Sequence, residues 1–204
     1  MQGSALNQSQ STLNISSQTT PGHSEHPDLR MTGMGFFLVA ESMIFIGLFA
    51  AFLITRSMVE VWQPEGSEVE ILLPGINTII LISSSFVMNR GAAAIKKNDE
   101  GGLRFWFGLT ALMGAIFLGG QAYEYIHMSF GLTTSIFASF FYVLTGFHGL
   151  HVTFGLMLIL AVLGRSLKAG HYSEHHHFGV EAAELYWHFV DVVWIVLFIL
   201  VYLL

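Results

Sequence analysis

The segment Glu181-Ala-Ala-Glu-Leu-Tyr-Trp-His-Phe-Val-Asp-Val-Val-Trp194 carries four groups that could move a proton or close a polar contact. Glu181, Glu184, His188 and Asp191 fall at offsets of 0, 3, 7 and 10, one stripe of a helix. The segment runs straight into the apolar stretch Ile195–Leu204. A charge in the middle of a membrane span costs roughly 2.5–3.5 kcal/mol on insertion scales, so such groups face protein or a polar cavity. Glu181 and Glu184 sit in the first turn, where the helix dipole favours negative charge. His188 and Asp191 lie deeper. They read either as a hydrogen-bonded pair that fixes packing or as a proton relay, and both readings stay open.

Three more sets have the residue types for chemistry. Glu41 is a lone acid inside the apolar run Gly33–Thr55, about 12 Å from its start at 1.5 Å per residue. It flanks a small-residue stripe, Gly33, Ala40 and Gly47, suited to close helix contact. It reads as a proton-exchanging, carboxyl-reactive site or as an acid hydrogen-bonded for packing; its ionisation and its partner stay open. By depth alone Asp191 lies level with Glu41 and His151 deeper. His148 and His151, in Gly146-Phe-His-Gly-Leu-His-Val152, share one face with Gly155. Two histidines so spaced could hold a metal or haem, but a site needs further ligands and the spans offer no second pair, so interior hydrogen-bonded histidines are expected. Glu124 closes the third run in Gly120-Gln-Ala-Tyr-Glu-Tyr125, where Tyr123 and Tyr125 suit the interfacial aromatic belt and Glu124 can reach water. His175, His176 and His177 form a loop cluster, read as solvated rather than metal-binding. Phosphate loops, dinucleotide fingerprints and nucleophile elbows are absent from the sequence.

The elements that position these groups are membrane spans. Only 11% of the 204 residues are charged and 53% are apolar, against about 25% charged in a soluble domain. Apolar runs long enough for a hydrocarbon core of about 30 Å occur near 33–55, 73–94, 103–126, 139–164 and 183–204. The second is the least clean, because Asn77 and Ser83 to Ser85 interrupt it. The expected fold is all-α: a membrane bundle of five transmembrane helices over residues 29–204, behind a disordered polar tail, 1–28. That tail lacks the positive-then-apolar order of a secretory signal and the arginines of a mitochondrial presequence, which favours a bacterial membrane. Seven of the eight basic residues, Arg30, Arg90, Lys96, Lys97, Arg104, Arg165 and Lys168, fall on one side of this topology, and only Arg56 on the other. The positive-inside rule then puts the N-terminus in the cytoplasm and the C-terminus outside. The outer loop carries Glu60, Glu65, Glu68 and Glu70, read as a solvated acidic loop. With no cysteine there are no disulfides or thiolate ligands, and a net charge of −6 argues against nucleic-acid binding.

The segments Gly146–Val152, His176-His-Phe-Gly179, Glu181-Ala-Ala183 and Tyr186-Trp-His-Phe-Val-Asp-Val-Val-Trp194 resemble subunit III of the haem–copper cytochrome c oxidases. Phe37-Leu-Val-Ala-Glu-Ser42 resembles the family segment that holds its characteristic buried glutamate, and Gln121-Ala-Tyr-Glu124 matches another. The resemblance covers about residues 30–204 and leaves out the tail. It implies an accessory subunit with no redox centre of its own, haem and copper residing in partner subunits. It implies packing on subunit I, with subunit II in the same complex, structural phospholipid in a cleft, support of proton uptake, and stability in turnover. The complex transfers electrons from cytochrome c to oxygen and pumps protons. Five spans, against seven in the longer family form, imply that part of the cleft wall comes from elsewhere. The bacterial cytoplasmic membrane is the expected location, or the thylakoid membrane in a cyanobacterium. Quinol oxidases of the same superfamily also have five-span versions. From a different class, a proton-coupled transporter would carry buried Glu, His and Asp, but with repeat symmetry that is not seen here. A self-sufficient membrane metalloenzyme would need a metal set on this chain.

Overall fold

A computed structural model describes residues 29–63, 70–167, 172 and 177–204. The tail 1–28, Glu65 and Glu68 of the acidic loop, Lys168, His175 and His176 lie outside the described residues. Five helices follow in order: α1 (Leu29–Met58), α2 (Leu72–Ile95), α3 (Glu100–His127), α4 (Ile136–Ser166) and α5 (Phe178–Phe198). All five are long and apolar enough to cross a membrane. The first four extend beyond their apolar runs at both ends and α5 at its start, because helix continues into polar residues until a cap or turn stops it. Asp99 caps α3 by accepting from Gly102 N at 2.9 Å. Ser135 caps α4 by accepting from Ala138 N at 3.0 Å. These bonds satisfy amide groups that a helix start leaves open. The α2–α3 connection is tight, and Asn98 turns it with φ of 56°, a conformation asparagine tolerates better than most residues. After Phe198 the last helix widens into a π turn, Ile199–Leu203.

Helices α2, α3, α4 and α5 pack in a closed ring, and α1 leans on the outside against α5. Contacts at the ends fix the order. Arg104 donates to the Ser166 carbonyl, Lys96 lies 4.0 Å from Glu181, and Arg30 sits over the Phe178 ring. The start of α1, the end of α2, the start of α3, the end of α4 and the start of α5 therefore share one end of the bundle. Arg56 is at the other end, where it donates to the Leu204 carbonyl. The described basic residues expected on one side do lie together.

The ring closes around two tryptophans of α5. Trp187 is fully buried, and its indole N–H donates to Ser84 of α2 at 2.8 Å. Trp194 donates to Thr78 at 2.9 Å and packs edge-on against Phe117. Glycine makes the room. A Cβ on Gly114 of α3 would stand 2.6 Å from the Trp187 ring, and one on Gly155 of α4 would stand 3.0 Å from it. Small residues let helices approach where there is no water to expel, and here that approach encloses an indole.

Trp187 is held by its hydrogen bond and cannot swing away. Gly114→Ala should therefore lower stability by about 1–3 kcal/mol, the usual range for overpacking. Gly108→Ala, where nothing lies within 4 Å of the new Cβ, should have little effect. Thermal unfolding of the two variants in the same detergent checks the difference.

Candidate functional site

Glu41 and His151 meet between α1 and α4. Glu41 Oε2 lies 3.1 Å from His151 Nε2, and His151 Nδ1 lies 2.8 Å from the Phe147 carbonyl. A carbonyl only accepts, so Nδ1 carries a proton. The contact to Glu41 then needs one more proton, on the carboxyl or on Nε2. Either way the pair is neutral as a unit and holds one transferable proton. Phe45 and Phe147 stand edge-on to the imidazole, with ring centres at 4.9 and 4.7 Å. The pair forms the polar end of a cavity of about 320 Å³ otherwise lined by Phe37, Leu150, Phe154 and Tyr186. Leu150 and Phe154 are exposed on α4, so this cavity opens on the flank of the bundle.

The second set lies in the seam between α2 and α5. His188 and Asp191 do not bond each other; Ser85 stands between them. Its hydroxyl contacts Asp191 Oδ2 and lies 2.9 Å from His188 Nδ1, while His188 Nε2 lies 2.7 Å from Asn89 Oδ1. A serine hydroxyl has one proton to give. If it goes to Asp191, His188 must donate at both nitrogens; if it goes to His188, Asp191 must carry a proton. The trio is again neutral as a unit and again holds one transferable proton. Asp191 is 5% exposed, and its Oδ1 is buried without a partner among the described residues. Further toward the basic end, Glu181 is 3.1 Å from His177. His188 and Asp191 thus face α2, and Glu181 lies near Lys96 at its end. Because α5 begins at Phe178, Glu181 alone is in its first turn and Glu184 is in the second.

The other expected residues are placed differently from one another. His148 is fully buried and does not join His151; it lies against Trp194 and Phe117, and neither ring nitrogen has a partner among the described residues. Only about 60° separates the two imidazoles round the helix, yet that is enough for His148 to meet Phe117 of α3 and Trp194 of α5 while His151 meets Glu41 and Phe45 of α1. Glu124 is largely buried, 8% exposed, taking a hydrogen bond from Tyr202 at 3.1 Å and from Gln121 at 3.2 Å, and what remains of it lines a cavity with Glu70, His127 and Ser129. The π turn brings Tyr202 there. Tyr123 is exposed as a belt residue would be, but Tyr125 turns inward and bonds Thr145 at 2.6 Å. Among the described residues no three His, Cys, Asp or Glu side chains are grouped to hold a metal ion.

Sequence reasoning treats Ser84 and Ser85 as interruptions of a weak span and does not single out Thr78 or Asn89. They are the α2 side of the hydrogen bonds with α5. A signal for them exists: Asn77 with Thr78 and Ser84 with Ser85 recur seven residues apart, on one face of α2.

The family described as cytochrome c oxidase subunit III matches residues 18–204, reaching into the polar N-terminal segment. A protein of Synechocystis named cytochrome c oxidase subunit 3 is 69% identical over 195 residues, covering 93% of this chain and 84% of its own length. One of Thermostichus vulcanus, with the same name, is 59% identical over 180 residues, or 88% of this chain and 90% of the relative. One of Drosophila melanogaster is 38% identical over 83% of this chain but only 67% of its own length.

Glu41 lines a cavity with mostly apolar walls, whereas Glu124 is bonded to Tyr202 beside the polar groups of Glu70, His127 and Ser129, and Asp191 lies within the α2–α5 seam. An apolar carbodiimide should therefore label Glu41 and spare the other two, as peptide mapping would show. Glu41→Gln should leave the chain assembled, since an amide can still donate to His151 Nε2. Label on Asp191 or Glu124 with Glu41 unmodified would contradict this placement.

Proposed function

This chain belongs to the cytochrome c oxidase subunit III family, and on that premise we propose that it acts as the accessory, non-catalytic subunit of the oxidase. The oxidase is an oxidoreductase complex, and this chain is one of its multi-pass membrane subunits. In the proposed reading haem and copper belong to partner subunits. The chain packs chiefly on subunit I, with subunit II in the same assembly and cytochrome c as electron donor. Phospholipid is bound structurally. The basic end of the bundle faces the cytoplasm, by the excess of Lys and Arg there.

The match across residues 18–204 carries this reading. The chemistry of the polar sets agrees with it. Each set can hold one proton at no net charge inside the apolar length, which suits a subunit that steadies a proton-consuming partner and helps supply it. The homologues that match are named for the cytochrome c enzyme, which favours that donor over quinol.

The test is removal of this subunit from the assembled oxidase. Haem and copper per catalytic subunit should stay constant and the centres should remain reducible. Turnover should decay faster, or slow at high pH, where proton supply limits. Loss of haem in proportion to loss of this chain, with the catalytic subunit still folded, would contradict the accessory role.

A further inference from the structure

One flank of the bundle has a shape and chemistry that lipid does not satisfy. Helix α5 is the most enclosed span, yet Leu185, Val192, Ile195 and Val196, with Ile199 of the π turn, are exposed, Val192 by 61%. At 100° per residue these five form one strip about 100° wide, bordered by two packed sides of α5. On one side Tyr186 and Phe189 meet Phe37 and Phe45 of α1. On the other, His188 and Asp191 meet Ser85 and Asn89 of α2. The exposed strip is thus the floor of a trough with α1 and α2 as walls.

The α2 wall is polar. Asn89 is exposed and accepts at Oδ1 from His188 Nε2, and its amide N–H groups have no acceptor among the described residues. It lies about 9 Å in from the end of α2, and His188 about 15 Å in from the start of α5. Those depths fall within the apolar length of helices that span a core of about 30 Å. Acyl chains offer no acceptor there, and an amide donor left open in hydrocarbon is costly. A protein helix with an oxygen at the matching height supplies what lipid cannot.

We infer that the trough between α1 and α2, floored by the exposed strip of α5, seats one transmembrane helix of a partner subunit. That helix presents a hydrogen-bond acceptor to Asn89. The assignment rests on the reading of this chain as an oxidase subunit and adds to it the face that docks. The Glu41 cavity opens on a different flank, between α1 and α4, so the two surfaces are separate.

The test is a photoreactive amino acid placed at Val192 in the complete oxidase from its native membrane, with Met157 on the exposed flank of α4 as comparison. Val192 should cross-link to another oxidase subunit and Met157 to lipid. Cross-links from Val192 to lipid, or to a second copy of this chain, in a haem-containing complex would overturn the docking face while leaving the accessory role intact. A chain that never copurifies with haem would overturn that role, and the docking face with it. Asn89→Leu should lower retention of the chain on the complex about fivefold, the equivalent of one hydrogen bond of roughly 1 kcal/mol. Unchanged retention would overturn the hydrogen bond assigned to Asn89.

Discussion

Hydrocarbon gives no shelter to an isolated charge, and the arrangement of this bundle follows from that constraint. An acid in a span must find a donor on a neighbouring helix, and the contact must carry no net charge. Glu41 does so with His151, and Asp191 does so through Ser85 with His188. Each solution ties two helices together, α1 to α4 and α2 to α5. Glu124 also finds donors, Tyr202 and Gln121, and ties α3 to the end of the last helix. The polar groups are therefore few, deep and structural before they are anything else. A group that holds one exchangeable proton without net charge is also the kind of group a proton-linked complex can use.

Helix α5 is where these demands converge. Its core side carries Trp187 and Trp194, its α2 side His188 and Asp191, and its α1 side Tyr186 and Phe189. Gly114 and Gly155 accept the bulk of Trp187, so the ring of four helices can close around it. What remains exposed on α5 is one strip, and the most enclosed span thereby becomes the floor of the surface assigned to the partner.

Much of the bundle is legible in the amino-acid sequence alone. Five apolar runs correspond to five helices, and the long C-terminal motif points to the family. The partner of Glu41 is not legible there, and the reason is geometric. Counting from Gly33 puts Glu41 level with Asp191 and short of the depth of His151. Helix α1 starts four residues earlier, at Leu29, which deepens Glu41 by about 6 Å and leaves all three residues at similar depth. Depth then decides nothing and helix face decides everything: Asp191 looks toward α2, His151 toward α1. The second span misleads for a related reason. Serine and threonine inside a span look like flaws until the tryptophans and the His–Asp stripe opposite them are in place. Distance to the boundary likewise misplaces Tyr125 and Glu124, because the inward face of α3 continues to its last turn.

The claim that an intramembrane acid is closed by a partner on a neighbouring helix is tested most directly by a double-mutant cycle on Glu41 and His151, with unfolding free energies measured in one detergent. Glu41→Leu and His151→Leu should each destabilise the chain, because each leaves a polar group in hydrocarbon without its partner. The double variant should cost less than the sum of the two, with a coupling of about 1–3 kcal/mol. Additive losses would contradict the pairing and with it the constraint on which this account of the bundle rests.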